Sequence, residues 1–155
     1  MKKLKIYLDT SVLNFAYAED VPDKMMVTKK FFREIKRKTF HTFISDVVID
    51  EINKTPEPKK TKLANLIKKF NLGILLLDQR CEKLAERYLK HKLIPIKYRN
   101  DAFHIAIATV NEVDVLVSWN LEHMVKLKTV KGVNLINKEL GCKEIDIRTP
   151  EEVIL

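Results

Sequence analysis

At 155 residues, with 46% hydrophobic and 32% charged side chains, the chain has enough apolar material to bury a core. Its composition is that of one globular domain spanning 1–155, and it excludes a disordered segment. No apolar run is long enough to cross a bilayer, and the formal net charge of +8 favours a polyanionic partner such as nucleic acid.

In chain order, Leu4 to Leu8 reads as a buried strand, after which Thr10-Ser11 would cap a short helix through Tyr17. Met25 to Lys38 predicts a basic helix with Val27, Phe31, Phe32 and Ile35 on one side. Thr39 to Ile44 is a second strand, and Ser45-Asp46 caps a helix containing Val47, Val48, Glu51 and Ile52. Pro56 and Pro58 end that helix. A Lys-rich helix then runs to about Asn71, and Gly73 is expected to supply the turn into a third strand, Ile74 to Leu77. Asp78 opens a helix through about Lys90, and Asn100 caps another from Asp101 to about Glu112. Val115 to Ser118 predicts strand four, followed by a short helix from Asn120 and a fifth strand around Val133 to Ile136.

Strands apolar on both sides, alternating with helices, imply a parallel sheet covered on both faces: a three-layer α/β/α fold. No linker or internal repeat divides it. A Gly-rich phosphate loop is absent, which excludes P-loop and dinucleotide fingerprints. Cys81 and Cys142 lack metal-ligand spacing and read as free thiols in a reducing cytoplasm. The Lys-rich start leads into Ile6-Tyr7-Leu8 and Asp9 with no signal-peptide apolar region, which also predicts a cytoplasmic location.

Ligands of open parallel sheets bind beyond the carboxyl ends of the strands. Polar residues predicted at those ends are Asp9, Asp46, Asp78, Ser118 and Asn120, while Glu51 and Asp101 lie near helix starts facing the same rim. Taken singly, each has a plain structural use. Asp9, Asn100 and Asn120 suit helix caps, Glu51 a solvated helix face, and His104 a semi-buried position on the Asp101 face.

Their order is more informative. The segments Leu8-Asp9-Thr10-Ser11-Val12-Leu13, Ser45-Asp46-Val47-Val48-Ile49-Asp50-Glu51-Ile52, Asn100-Asp101-Ala102-Phe103-His104-Ile105-Ala106-Ile107-Ala108 and Leu116-Val117-Ser118-Trp119-Asn120 resemble the signature of the PIN-domain family. That family includes the VapC-like toxin ribonucleases of toxin–antitoxin pairs. The resemblance runs from Lys5 to about Ile136. It implies a parallel sheet of four to five strands with an acidic pocket at its carboxyl edge, and a metal-dependent endoribonuclease using Mg²⁺ or Mn²⁺. Asp9, Glu51 and Asp101 match the family's first three acids as catalytic and metal-binding residues, with Thr10 and Ser118 supporting the pocket. Asn120 stands where many members carry a fourth acid, and the resemblance implies it as a further metal-binding residue, one that adds no negative charge. Glu122, two residues on, is a further acid near that position. RNA as substrate, a small antitoxin protein as partner and a homodimer are implied by the same resemblance.

The chemistry agrees with the residue types. Carboxylates are hard donors suited to Mg²⁺ or Mn²⁺, and no Cys/His set here has zinc spacing. Two other readings stand beside this one. The amide at Asn120 suits a weakly active or inactive module that binds RNA or protein. A phosphoacceptor receiver domain would use Asp78, Ser118 and Lys138 instead, leaving Glu51 and Asp101 without a role.

Overall fold

The computed structural model of the protein describes residues 2–37 and 39–154. Strand β1 (Leu4–Leu8) lies at the centre of a five-stranded parallel sheet. From β1 the chain passes through α1 (Thr10–Phe15) and α2 (Pro22–Lys36) into β2 (Phe40–Ser45). Helices α3 (Asp46–Asn53) and α4 (Lys59–Lys69) then lead to the edge strand β3 (Gly73–Leu75). Helices α5 (Gln79–Lys90) and α6 (Arg99–Val110) carry the chain back across to β4 (Val115–Val117) on the other side of β1. The fold closes with α7 (Leu127–Glu139), β5 (Asp146–Arg148) and α8 (Pro150–Val153).

The strand order is β3-β2-β1-β4-β5, with every pairing parallel. The winding reverses between β1 and β4, so the crevice of the switch point opens between their carboxyl ends. This order removes the receiver-domain reading, whose winding puts strand three beside strand one. Here Asp78 follows an edge strand and caps α5 through Cys81 N–H at 3.0 Å, while Lys138 lies in α7.

The core is continuous across both faces of the sheet. Ile6, Tyr7, Leu8, Ile44, Leu116 and Val117 are buried in the strands, covered by Phe31, Val48, Ile105, Ala106 and Val133 from the helices. This three-layer α/β/α arrangement is the architecture expected from two-sided apolar strands.

Several local expectations change. Val133 to Ile136 is part of α7 and not a fifth strand. Val133 and Ile136, three apart, are buried while Leu135 is 64% exposed, which is helical spacing. The true β5 buries only Ile147 among its three residues, too short a run to register as apolar. The segment after Asn120 forms turns and no helix before Leu127. Asn100 lies inside the first turn of α6 and caps nothing. The α1 cap is Asp9, not Thr10 or Ser11. Helix α2 begins at Pro22, because proline at the first helical position loses no intrahelical bond. Lys38, the expected end of that helix, lies outside the described residues, as do Met1 and Leu155.

The turn before β3 is made by Asn71, at φ 51°, rather than by Gly73. Gly73 instead pairs with Phe43, where a Cβ would come within 2.7 Å of the Phe43 ring. Glycine is required there by close approach.

Candidate active site

The register places Leu8 beside Val117, so Asp9 and Ser118 leave neighbouring strands side by side. Asp9 is 4% exposed. Its Oδ1 accepts from Val12 N–H (3.4 Å) and Ser11 Oγ (2.5 Å), and its Oδ2 accepts from Ser118 Oγ (2.6 Å). Ser118 Oγ in turn accepts from Asn120 N–H at 2.9 Å. The Asn120 amide completes the chain. Its Nδ2 donates to Asp101 Oδ2 (3.0 Å), while its Oδ1 accepts from His123 N–H (3.0 Å). Asp9, Ser118, Asn120 and Asp101 therefore form one connected line across the switch point.

A second line runs beneath it. Glu51 Oε1 accepts from Thr10 Oγ1 at 3.0 Å and pairs with His104 Nε2 at 2.8 Å. His104 Nδ1 meets the Tyr7 hydroxyl at 2.6 Å, and that hydroxyl meets Ser45 Oγ at 2.7 Å. Tyr7 and His104 are buried, and every polar atom of the pair is engaged. Thr10, adjacent to Asp9, joins the two lines.

The electrostatics follow from burial and crowding. Burial pushes the Asp9 carboxyl up, against the opposing pull of His104 and its hydroxyl partners. Burial likewise raises Asp101, to about 6, with the charges of Asp9 and Glu51 adding to it and His104 and His123 opposing. Glu51 goes the other way. Burial would raise it, but the His104 bond and charge, with Thr10 and Lys54, outweigh that and hold it below the usual carboxylate range. Burial would lower His104, yet Glu51, Asp9 and Asp101 hold it above the ordinary imidazole value. Thus the contact favours the ionised form of Glu51 and the protonated form of His104, while Asp9 and Asp101 have raised proton affinity.

Among the described residues, no three Asp, Glu, His or Cys side chains converge as a ready-made metal cage. Hard oxygen donors are nevertheless available, since no described donor faces Asp101 Oδ1 or Glu51 Oε2. Mg²⁺ keeps several waters and is commonly held by only one or two carboxylates, so this donor set fits such an ion. Asn120, as oriented, turns its oxygen to the His123 cap and a donor toward Asp101. Glu122 points outward, 81% exposed and 3.7 Å from His123 Nε2, and does not replace a fourth acid. Asp46 Oδ1 accepts from Leu77 N–H and holds the chain after β3. A concavity of about 610 Å³ lies at Arg80, Arg87, Thr109 and Cys142, and none of these site residues lines it.

The sequence placed Asp9, Glu51 and Asp101 toward one rim but did not show the contacts that Tyr7, Ser11, Ser45 and His104 make there. The one local signal was His104, three residues after Asp101 on the same helix face.

No family model matches the sequence, and no curated protein matches it. Solved structures do. The chain resembles one in the DNA-bound VapBC structure from Salmonella typhimurium, with a TM-score of 0.61 and 18% identity over 95% of this chain and 98% of that one. A chain of VapBC2 from Rickettsia felis, bound to a DNA fragment from its promoter, gives 0.56 and 15% over 94% and 98%. The fold is therefore the VapC-like PIN fold.

Proposed function

We propose that this protein is an endoribonuclease dependent on Mg²⁺ or Mn²⁺, acting in the cytoplasm as the toxin of a toxin–antitoxin pair. The observation that carries this reading is the line of hydrogen bonds joining Asp9, Ser118, Asn120 and Asp101 at the switch point, with Glu51 held beside it through Thr10. Asp9 and Asp101, with Glu51, would hold the cation. When bound, a divalent ion supplies charge neutralisation at the scissile phosphate and an acidified water. Ser118 keeps the Asp9 carboxylate in place, and His104 fixes the rotamer of Glu51. Mn²⁺-dependent cleavage of single-stranded RNA by purified protein, abolished by EDTA, tests the reading; no cleavage under those conditions removes it.

RNA would be held first by its phosphates, given the net charge of +8. Affinity for a single-stranded oligoribonucleotide in EDTA should then fall linearly with salt on a log–log plot. The slope should be about −0.7 per phosphate neutralised. A salt-insensitive affinity would point to a protein partner instead.

The VapBC neighbours support a small antitoxin protein as partner. We also infer a homodimer from the resemblance, and light scattering that returns a monomer mass would refute it. Among the described residues no helix is long and apolar enough to cross a membrane.

A second reading, an RNA- or protein-binding module with little cleavage, is favoured by the Asn120 amide. Asn120→Asp distinguishes the two. One oxygen would keep the His123 cap and the other would face Asp101 Oδ2, now 3.0 Å from a donor. Without metal, this like-charge contact should lower stability by about 1 kcal/mol. With metal, the Mn²⁺ concentration for half-maximal cleavage should fall about tenfold, or about 1.4 kcal/mol. Superimposable melts and Mn²⁺ titrations would make Asn120 a cap alone.

A further inference from the structure

The rim beside Asp101 carries an aromatic pair that the acidic site does not use. Tyr98 ends a single 3-10 turn (Ile96–Tyr98) that runs directly into α6, three residues before Asp101. His123 lies three residues after Asn120 and is tied to it through its backbone N–H. The two rings stack with centroids 4.3 Å apart and planes inclined by 31°. The other aromatic pairs among the described residues are wider, at 4.9 Å or more, and more steeply inclined, at 45° or more.

Tyr98 does little for the fold. It is 41% exposed, whereas Tyr7 and Tyr88 are fully buried and hydrogen-bonded, and the Tyr98 hydroxyl bonds no described residue. His123 beneath it is mostly covered, and it is near enough for its charge to act on Asp101. One cation lies over the ring. Lys97 Nζ is 5.7 Å from the Tyr98 centroid, and neither Lys97 nor Arg99 joins an ion pair among the described residues.

We propose that Tyr98, stacked on His123, is a platform for an unpaired nucleobase beside the acidic site. The assignment rests on the ribonuclease reading for its substrate and narrows it to single-stranded RNA. A base entering at the exposed Tyr98 ring takes the place of the Lys97 ammonium over it and stacks there, leaving Lys97 and the neighbouring Arg99 to meet its phosphates. The hydrogen bonds from His123 through Asn120 to Asp101 fix the platform relative to the carboxylates. A base stacked on Tyr98 therefore sets which phosphate reaches them. A duplex keeps its bases stacked inside and offers nothing to this ring.

The test uses the full chain, with EDTA present, and a single-stranded oligoribonucleotide carrying one fluorescent adenine analogue. Binding should quench the analogue, and Tyr98→Ala should abolish the quench and weaken affinity about tenfold. Tyr98→Phe should retain both, and adding protein to the oligoribonucleotide already annealed to its complement should cause no further change in its fluorescence. Undiminished affinity and quench in Tyr98→Ala, or no RNA binding by the parent protein, overturns the platform. Adding Mn²⁺ separates the two readings. Tyr98-dependent quenching without cleavage retains the platform and removes the nuclease, whereas cleavage with a quench indifferent to Tyr98 does the reverse.

Discussion

Asp9→Asn should reduce RNA cleavage by more than roughly a hundredfold, the scale of losing a carboxylate that holds a catalytic ion. The fold should survive it. Ser11 and Ser118 donate to Asp9, and hydroxyls can reverse their protons to meet an amide nitrogen. Asp101→Asn should lose activity equally, and it should also raise the stability of the metal-free protein. Asp101 has a carboxyl raised to about 6 in the fold against 3.8 unfolded, so the folded chain binds that proton more tightly. Its favourable contribution is fully present below the unfolded value and is lost as pH rises through about 6. Above that, ionised Asp101 is repelled by Asp9 and Glu51, and the neutral amide relieves it. After allowing for solvent screening of this partly exposed group, the gain at neutral pH should be about 1 kcal/mol. Melts in EDTA should show it near neutrality and not in acid. Parent-level cleavage with Mn²⁺ by either variant would remove these residues from the site.

His104→Ala should destabilise the protein by about 3 kcal/mol, the largest effect expected of a single polar substitution here. The imidazole is 2% exposed and bridges the Tyr7 hydroxyl to Glu51. Its removal leaves the buried Tyr7 hydroxyl with Ser45 alone and the half-buried Glu51 carboxylate with Thr10 alone, without the cation between them, and leaves a void. The penalty should vary with pH. His104, raised above 6.5, contributes stability present below that value and lost as pH rises through its folded pKa. Glu51, lowered from 4.5, contributes stability present above that value and lost as pH falls through its folded pKa. The difference between parent and variant should therefore peak in the window between, and shrink on both sides. Urea denaturation across that range measures it, and a flat difference below about 1 kcal/mol would show that the bridge supports nothing.

How far the sequence carries depends on how local each determinant is. Two-sided apolar strands and helical periods made the layered parallel fold legible, and Ser45 and Asp78 cap α3 and α5 as their spacing predicts. The sequence also placed Asp9 and Ser118 at strand ends and Asp101 in the first turn of its helix, because these positions follow from short-range pattern. It misread Val133 to Ile136, since four residues are too few to separate a period of two from one of three to four. Strand order, and with it the elimination of the receiver reading, came only from the tertiary structure, because pairing partners are not marked in any one strand. The same holds for the site's internal wiring. Glu51 meets His104 across 53 positions, and Asp9 meets Ser118 across 109. Likewise only packing could show that the Asn120 oxygen serves a cap while its nitrogen faces Asp101. Sequence determined which chemical groups reach the carboxyl edge of the sheet; the close packing of distant elements decided which of them touch, which are charged, and which remain open to a ligand.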